Sequence, residues 1–344
     1  MSMEHQLLRL VRQVEKTHRG LGPLIAMNIL AAKAKKTILN VAPAGCGKSV
    51  ACKAVARALG TRAKYFTSIT LAGLKRREDE LSNTQLHIII DDLGAEKSMW
   101  SRVSTITTLA NLVHDHFVHK VTQTQEIRIE GFYGSVSLNV QPVLMYSLVA
   151  DDDWVAVVRD KVIRYYHLKR PVEPNNTVPD VRLPSTPEIS EVKGKIVKGK
   201  LWYQLVAMGL TQWSYARVIE HIPDLLKAMA ALDNRTEIKP VDYKLLIKLL
   251  KPMQLERYFI DTYSFEQGRV FKNDLYCILV EIASFGEPTL DTICEDYKVA
   301  PSTARRLIEN VKEWCFIKDN SPKRIAPTEE AKKLLDLCGV YDKW

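Results

Sequence analysis

No stretch of this sequence approaches the ~18 consecutive apolar residues that a membrane-spanning helix needs. No apolar core of a secretion signal follows Met1 either. The expectation is a cytoplasmic chain with no membrane partner. Cysteine is sparse. Cys46, Cys52, Cys277, Cys294, Cys315 and Cys338 are scattered, without the paired spacing of a metal site. Structural zinc and a disulfide framework are both disfavoured, and a reducing interior is the simplest compartment. Internal repeats and low-complexity tracts are missing as well. Composition argues against disorder, since 46% of the 344 residues are hydrophobic and 26% charged. At ~100–200 residues per domain, this length allows two or three domains.

Basic residues outnumber acidic ones, and unevenly. Residues 1–172 hold 24 basic and 15 acidic side chains, residues 173–255 hold 12 and 9, and residues 256–344 hold 13 and 16. The positive field therefore sits on the N-terminal two-thirds. It suits an anionic partner such as nucleotide or nucleic acid, and equally a plain solubility charge.

Residues 3–34 have helical apolar spacing broken at Gly20–Pro23. Five apolar runs follow, at 37–41, 63–69, 86–92, 135–140 and 162–168, separated by helical stretches. Such runs suit strands buried on both faces, so an α/β domain with a central parallel sheet is expected. Five prolines in 171–188 favour an extended connector. Residues 199–255 read as helical throughout. Residues 256–344 contain three helical patterns and then a short turn-rich stretch.

The strongest signal is 42-APAGCGKS-49, between the strand 37–41 and the helix 47–60. A phosphate-binding loop needs that setting of strand, glycine turn and helix N-terminus. Gly45 and Gly47 let the backbone amides of Ala44–Ser49, Cys46 included, turn inward. Lys48 brings a point charge to the β- and γ-phosphates of ATP, and Ser49 a hydroxyl for Mg²⁺. Ala42 stands where the first glycine of such loops usually is. The second half is 87-HIIIDD-92, an apolar strand ending in acid. Asp91 would hold Mg²⁺ and Asp92 would polarise the attacking water, with Glu96 as a further carboxylate.

With both halves in hand, residues 22–252 resemble the AAA+ ATPase superfamily. The resemblance implies a sensor Asn at the end of the fourth parallel strand, which matches Asn139. The helices at 213–252 resemble the lid of minichromosome maintenance helicases. That likeness implies a γ-phosphate-contacting Arg217, with His221 as its i,i+4 partner. It also implies an arginine finger before the fifth parallel strand. Arg159 is favoured, with Lys161 and Arg164 beside it and Arg102 elsewhere. Arg164 also fits a strand residue pointing at solvent. The alternation in 126–132 suggests a hairpin, either pore-facing with Lys120 and Arg128 on phosphates or merely on the surface.

Residues 273–334 resemble a winged helix. Its third helix, 301–314, would offer Ser302, Thr303, Arg305 and Arg306 to the DNA major groove, with Lys323 and Arg324 on the wing. Docking to a protein is the other use of such a module. The order of parts also resembles archaeal origin-recognition initiators and the bacterial Holliday-junction motor.

The expected architecture is an N-terminal helical segment (1–21), an α/β P-loop AAA+ core (22–172), a proline-rich connector (173–198), a helical lid (199–255) and a winged-helix domain (256–344). The expected function is an ATP- and Mg²⁺-dependent DNA motor in replication or recombination, as helicase, helicase loader or initiator. It would work as a homo-oligomeric ring, a hexamer being the family form, with a replication or recombination protein as a further partner. The alternatives are a slowly turning nucleotide-switched DNA-binding regulator, and a protein-remodelling ATPase that docks partners through the winged helix.

Overall fold

The computed structural model describes residues 4–93, 98–121, 126–152, 154, 158–171, 177–183, 186–261 and 270–344. Helix α1 (Gln6–Thr17) buries the stripe Leu7, Leu10, Val11 and Val14. Helix α2 (Gly22–Lys33) is apolar all round and buries every residue from Leu24 to Ala31. Between them the Glu15 carboxylate accepts the Gly20 and Gly22 amides at 2.8–3.1 Å, fixing the tight corner.

Next come β1 (Thr37–Val41), α3 (Lys48–Leu59), β2 (Ala63–Ser68), α4 (Leu71–Lys75), α5 (Glu78–Leu81) and β3 (His87–Asp92). Helix α6 (Met99–Asp115) leads to the antiparallel pair β4 (Phe117–Val121) and β5 (Glu126–Glu130). Then follow β6 (Ser135–Val140), α7 (Pro142–Ala150) and β7 (Val162–Tyr166). Strands β2-β3-β6-β1-β7 form one parallel sheet in that order. Every residue of β1, β6 and β7 is buried, as continuous apolar runs demand when helices cover both faces. The arrangement is a mixed α/β fold consistent with a P-loop ATPase. Because β6 lies between β1 and β3, the C-terminal ends of these three strands meet along one edge.

Helices α8 (Lys200–Gly209), α9 (Tyr215–Leu232) and α10 (Pro240–Leu250) follow the connector, whose Thr177 carbonyl meets His18 Nε2 at 2.8 Å. A short α11 (Glu256–Phe259) and the two-residue strands β8 (Ile260–Asp261) and β9 (Val270–Phe271) lead on. They reach α12 (Asn273–Phe285), α13 (Leu290–Tyr297), α14 (Pro301–Glu309), β10 (Cys315–Lys318), β11 (Arg324–Pro327) and α15 (Glu329–Leu337). Helix α14 is shorter than the expected 301–314, because Trp314 bonds back to Val311 and the chain turns into β10. Part of the expected turn-rich tail is helical. Thr328 caps α15 by accepting the Ala331 amide at 3.3 Å, and Ala331, Leu334 and Leu335 are buried.

Two apolar cores flank the sheet. One joins α6 and α7 to the C-terminal helices, and the other joins α1–α3 to α8–α10. The first unites residues of 39–168 with residues of 255–340, and the second unites residues of 7–165 with residues of 181–253, so each packs segments from different expected parts together. Among the described residues, no helix is long and apolar enough to cross a membrane.

Candidate functional site

The loop between β1 and α3 is shaped by two glycines. Gly45 has φ +78° and Gly47 φ +75°, in the left-handed region that glycine occupies without penalty. Close packing closes off both positions. A Cβ on Gly45 would lie 2.7 Å from Arg170 Nη1, and one on Gly47 2.7 Å from Leu21 Cδ2. Ala42 is buried and donates its amide to the Val140 carbonyl at 3.2 Å. It is not among the residues with positive φ, so alanine serves there without strain. Lys48 folds over the loop, its Nζ 2.6 Å from the Ala42 carbonyl and 2.7 Å from that of Pro43. Burial lowers the Lys48 pKa, while Cys46, Asp91, Cys52 and Asp92 pull the other way. Ala44, Gly45 and Ser49 are exposed at the mouth of the loop, and Cys46 is buried beneath it. Burial pushes the Cys46 thiol up to about 11, so it stays a neutral packing group.

The acidic side of the site is a chain of hydrogen-bonded side chains across the sheet. Asn139 Nδ2 donates to Asp91 Oδ1 at 2.7 Å, and the Tyr65 hydroxyl donates to Asp91 Oδ2 at 2.7 Å. Asn40 Nδ2 donates to Asn139 Oδ1 at 3.1 Å, and Asn28 and Asn40 exchange two bonds of 2.9 Å. The Cys52 thiol also reaches Asn139 Oδ1, at 3.4 Å. Strand register produces this chain. Asn40 lies opposite Asn139, and Tyr65 opposite Ile89, two residues before Asp91 on the same face. Both oxygens of Asp91 are thus oriented before any ligand arrives. Asp92 is exposed, and its Oδ1 takes the amide of Leu93 at 2.8 Å. Glu96 lies outside the described residues.

The basic residues expected around phosphate are dispersed. Arg217 pairs with Glu220 at 2.7 Å, not with His221. His221 is buried, its ring against Trp213 and its Nε2 3.0 Å from the Asp160 carbonyl. Burial and Lys36 push its pKa down to about 4, so it is a neutral core group. Glu220 also pairs with Lys36, just before β1, and the Ser214 amide binds Asp160, just before β7. Arg217 therefore stands at the N-terminal edge of the sheet. The loop and Lys48 stand at the other edge, about 16 Å away along a five-residue strand. Arg217 does not reach Lys48's site within one chain, contrary to the expected γ-phosphate contact.

Arg159 lies before β7 as expected, with Nη2 3.0 Å from Glu256 Oε1. Lys161 is held by Asn111 at 2.9 Å and Asp115 at 3.1 Å. Arg164 does not point at solvent. It is 1% exposed and donates to both oxygens of Glu256 at 2.6 and 3.0 Å, because its side of β7 faces α11 and not water. Arg102 sits in the first turns of α6, half-buried. Strands β4 and β5 form the hairpin, whose turn lies outside the described residues. Its Lys120 is turned inward onto Ser104 Oγ at 2.6 Å and Thr108 Oγ1 at 3.1 Å, and Arg128 pairs with Glu130 at 2.8 Å.

The C-terminal helices dock beside the loop. The Tyr276 hydroxyl lies 2.5 Å from the Val41 carbonyl and 2.9 Å from that of His167, tying α12 to the ends of β1 and β7. Arg170, four residues past β7, donates to Glu281 Oε1 from Nε at 3.1 Å and from Nη2 at 2.8 Å. Ser302, Arg305, Arg306, Lys323 and Arg324 are exposed on the outer side of this module, and Thr303 is half-buried. Arg324 Nη1 also donates to the Glu287 carbonyl at 3.2 Å. Tyr65, Asn40, Asn28, Tyr276, Arg170 and Glu281 carry no local motif. Only the strand register and the docking of α12 bring them in.

No protein-family model matches the chain, and no curated protein matches it. Among solved structures, one of a candidate ATPase from Cytophaga hutchinsonii is similar, at 15% identity and TM-score 0.37, covering 72% of this chain and 88% of that one. At that TM-score the likeness carries no weight.

Proposed function

We propose that this chain binds and hydrolyses ATP at the edge where β1, β6 and β3 end. The observation that carries the reading is the convergence there of the two-glycine loop, Lys48 and the preset Asp91–Asn139 pair. A loop with two left-handed glycines opening a helix is a nest of amide donors for phosphate oxygens. Lys48 rests on loop carbonyls, in position to exchange them for phosphate. Mg²⁺, held by Ser49 and Asp91, would neutralise charge on the β- and γ-phosphates. Asn139 and Tyr65 fix both Asp91 oxygens, so the carboxylate needs little reorganisation on binding. Asp92, at the exposed strand end, is the group to orient and polarise water once it leaves the Leu93 amide.

We read the C-terminal module, with helices α12–α14 followed by the antiparallel pair β10–β11, as a winged helix. We assign DNA contact to its exposed face, where residues 301–324 hold six basic and three acidic side chains. A ring of copies is the arrangement in which a neighbour's cation, Arg159 or Arg217, completes the site. The overall reading is a DNA-associated ATPase of replication or recombination.

A second reading, a nucleotide-switched DNA-binding regulator, is favoured by one contact. Tyr276 ties α12 directly to the strand ends that carry the loop.

The test is fluorescent-ATP binding and steady-state hydrolysis with and without DNA. Turnover stimulated by DNA and lost in Lys48→Ala supports the motor. Mg²⁺-dependent binding with no DNA-stimulated turnover supports the switch. Absence of nucleotide binding by the wild type refutes both.

A further inference from the structure

The site as described has one cation, Lys48, and Arg217 stands at the far edge of the sheet. A second cation is nevertheless present. Arg170 Nη1 packs against Gly45, so close that a Cβ there would be 2.7 Å from it. The guanidinium is nearly enclosed, with the Tyr297 ring 5.6 Å from its central carbon. Its three nitrogens are used unequally. Nε and Nη2 share a single oxygen, Glu281 Oε1. Among the described residues Nη1, the one facing the loop, has only an ion pair at 3.4 Å with Asp296.

The acidic side is poorly satisfied. Glu281 Oε1 also takes the Tyr297 hydroxyl at 3.0 Å, while Glu281 Oε2 and Asp296 Oδ2 are buried with no donor among the described residues beyond the carboxyl that faces them. The buried Glu281 and the half-buried Asp296 thus share one guanidinium. Burial pushes the Glu281 carboxyl up to about 7 even against Arg170's pull. An arginine that merely stabilised the fold would be expected to satisfy these oxygens more completely, in a bidentate pair. Here its free edge points at the phosphate loop.

We propose that Arg170 is a phosphate-binding residue of this site, supplied from the end of β7, and that Glu281 on α12 holds it until a nucleoside triphosphate takes it over. This rests on the nucleotide reading of the Gly45–Ser49 loop. A guanidinium beside Gly45 adds charge-assisted donors to those of the loop and Lys48, and it prefers ATP to ADP because ATP brings one more phosphate. As Arg170 turns to phosphate, Glu281 loses its partner and α12 loses a tie to the core. Nucleotide state is thereby transmitted to the C-terminal module.

The test compares ATP and ADP affinities, each with Mg²⁺, in full-length wild type, Lys48→Ala, Glu281→Gln and the double variant Arg170→Met with Glu281→Gln. The double variant removes Arg170 together with the fully buried carboxylate Glu281, and the Asp296 carboxylate left behind is partly exposed, so no fully buried charge is stranded. The double variant is expected to lose about tenfold or more in ATP affinity with ADP affinity nearly unchanged. Glu281→Gln alone, which frees Arg170, is expected to bind ATP more tightly than wild type. If the double variant keeps the wild-type preference for ATP while Lys48→Ala loses binding, Arg170 has no such role and the nucleotide reading stands. If Glu281→Gln leaves ATP affinity unchanged or weaker, the holding role of Glu281 is overturned. If wild type binds neither nucleotide, the site reading itself falls.

Discussion

Glu256 is the point where the sheet, the helical layer and the C-terminal segment are joined electrically, and its removal has a calculable cost. Its side chain is 1% exposed and accepts from Arg164 Nε at 2.6 Å, Arg164 Nη2 at 3.0 Å, Arg159 Nη2 at 3.0 Å and the Tyr166 hydroxyl at 3.1 Å. In Glu256→Ala, Arg159 is partly exposed and turns to water. Arg164 stays buried, with carbonyl partners on Arg159, Val162 and Gln212 but, among the described residues, no carboxylate left in contact. An uncompensated buried charge costs about 3–5 kcal/mol. The orphaned Tyr166 hydroxyl adds about 1 kcal/mol. The expected loss is therefore roughly 4–6 kcal/mol by urea unfolding, followed by circular dichroism and tryptophan fluorescence together. The double variant Arg164→Met with Glu256→Met removes both charges and keeps the volume. It is expected within about 1–2 kcal/mol of wild type, because desolvation of the pair offsets most of its attraction. Glu256→Ala within about 1 kcal/mol of wild type, or a double variant less stable than the single one, would refute the argument.

Other outcomes follow from the same geometry. Asn40→Leu strands buried amide groups of Asn28 and Asn139, at about 1–3 kcal/mol each. It should lower both the melting temperature and ATP turnover, and turnover unchanged in the folded variant would detach the asparagine chain from the site. Gly45→Ala forces a left-handed alanine at about 1–2 kcal/mol and pushes against Arg170, so nucleotide affinity should fall more than stability does. Glu281 has a folded pKa raised from 4.5 to about 7 by burial, facing Arg170, Asp296 and Tyr297. Its stabilising protonation is complete below pH ~4.5 and lost as pH rises through ~7, up to roughly 3 kcal/mol, and Glu281→Gln should flatten that slope in thermal melts. His87, between Ser135 and Ser137, has its pKa pushed down to about 3 by burial, so its contribution runs the other way. Stability present above pH ~6.5 is lost on acidification, and His87→Gln should lessen the acid sensitivity. Arg305→Glu with Arg306→Glu should reduce DNA affinity and the steepness of its salt dependence; an unchanged salt titration would reassign that face to protein docking.

Much of this molecule was legible because its signals are local. The five parallel strands are runs of β-branched and aliphatic residues, and their buried faces require that composition. The loop announces itself by two glycines, a lysine and a serine at fixed spacing. The exposure of Arg305 and Arg306 follows from the apolar stripe of Ala304 and Ile308 on the same helix. Helix α15, in place of part of the expected turn-rich tail, also has local signals: Thr328, two glutamates, then Ala331, Leu334 and Leu335. Arg217 and Arg170 mark where reasoning along the chain ends. Both are arginines near a helix or strand end, and sequence alone does not tell at which edge of a sheet they stand. A helix that begins beside Asp160 starts at the N-terminal edge, while a residue four past β7 stands at the C-terminal one. That difference comes from chain direction through a parallel sheet, in which every strand starts on one side and finishes on the other. The proposed phosphate chemistry belongs to the finishing side, where Lys48, Asp91, Asn139 and Arg170 all stand.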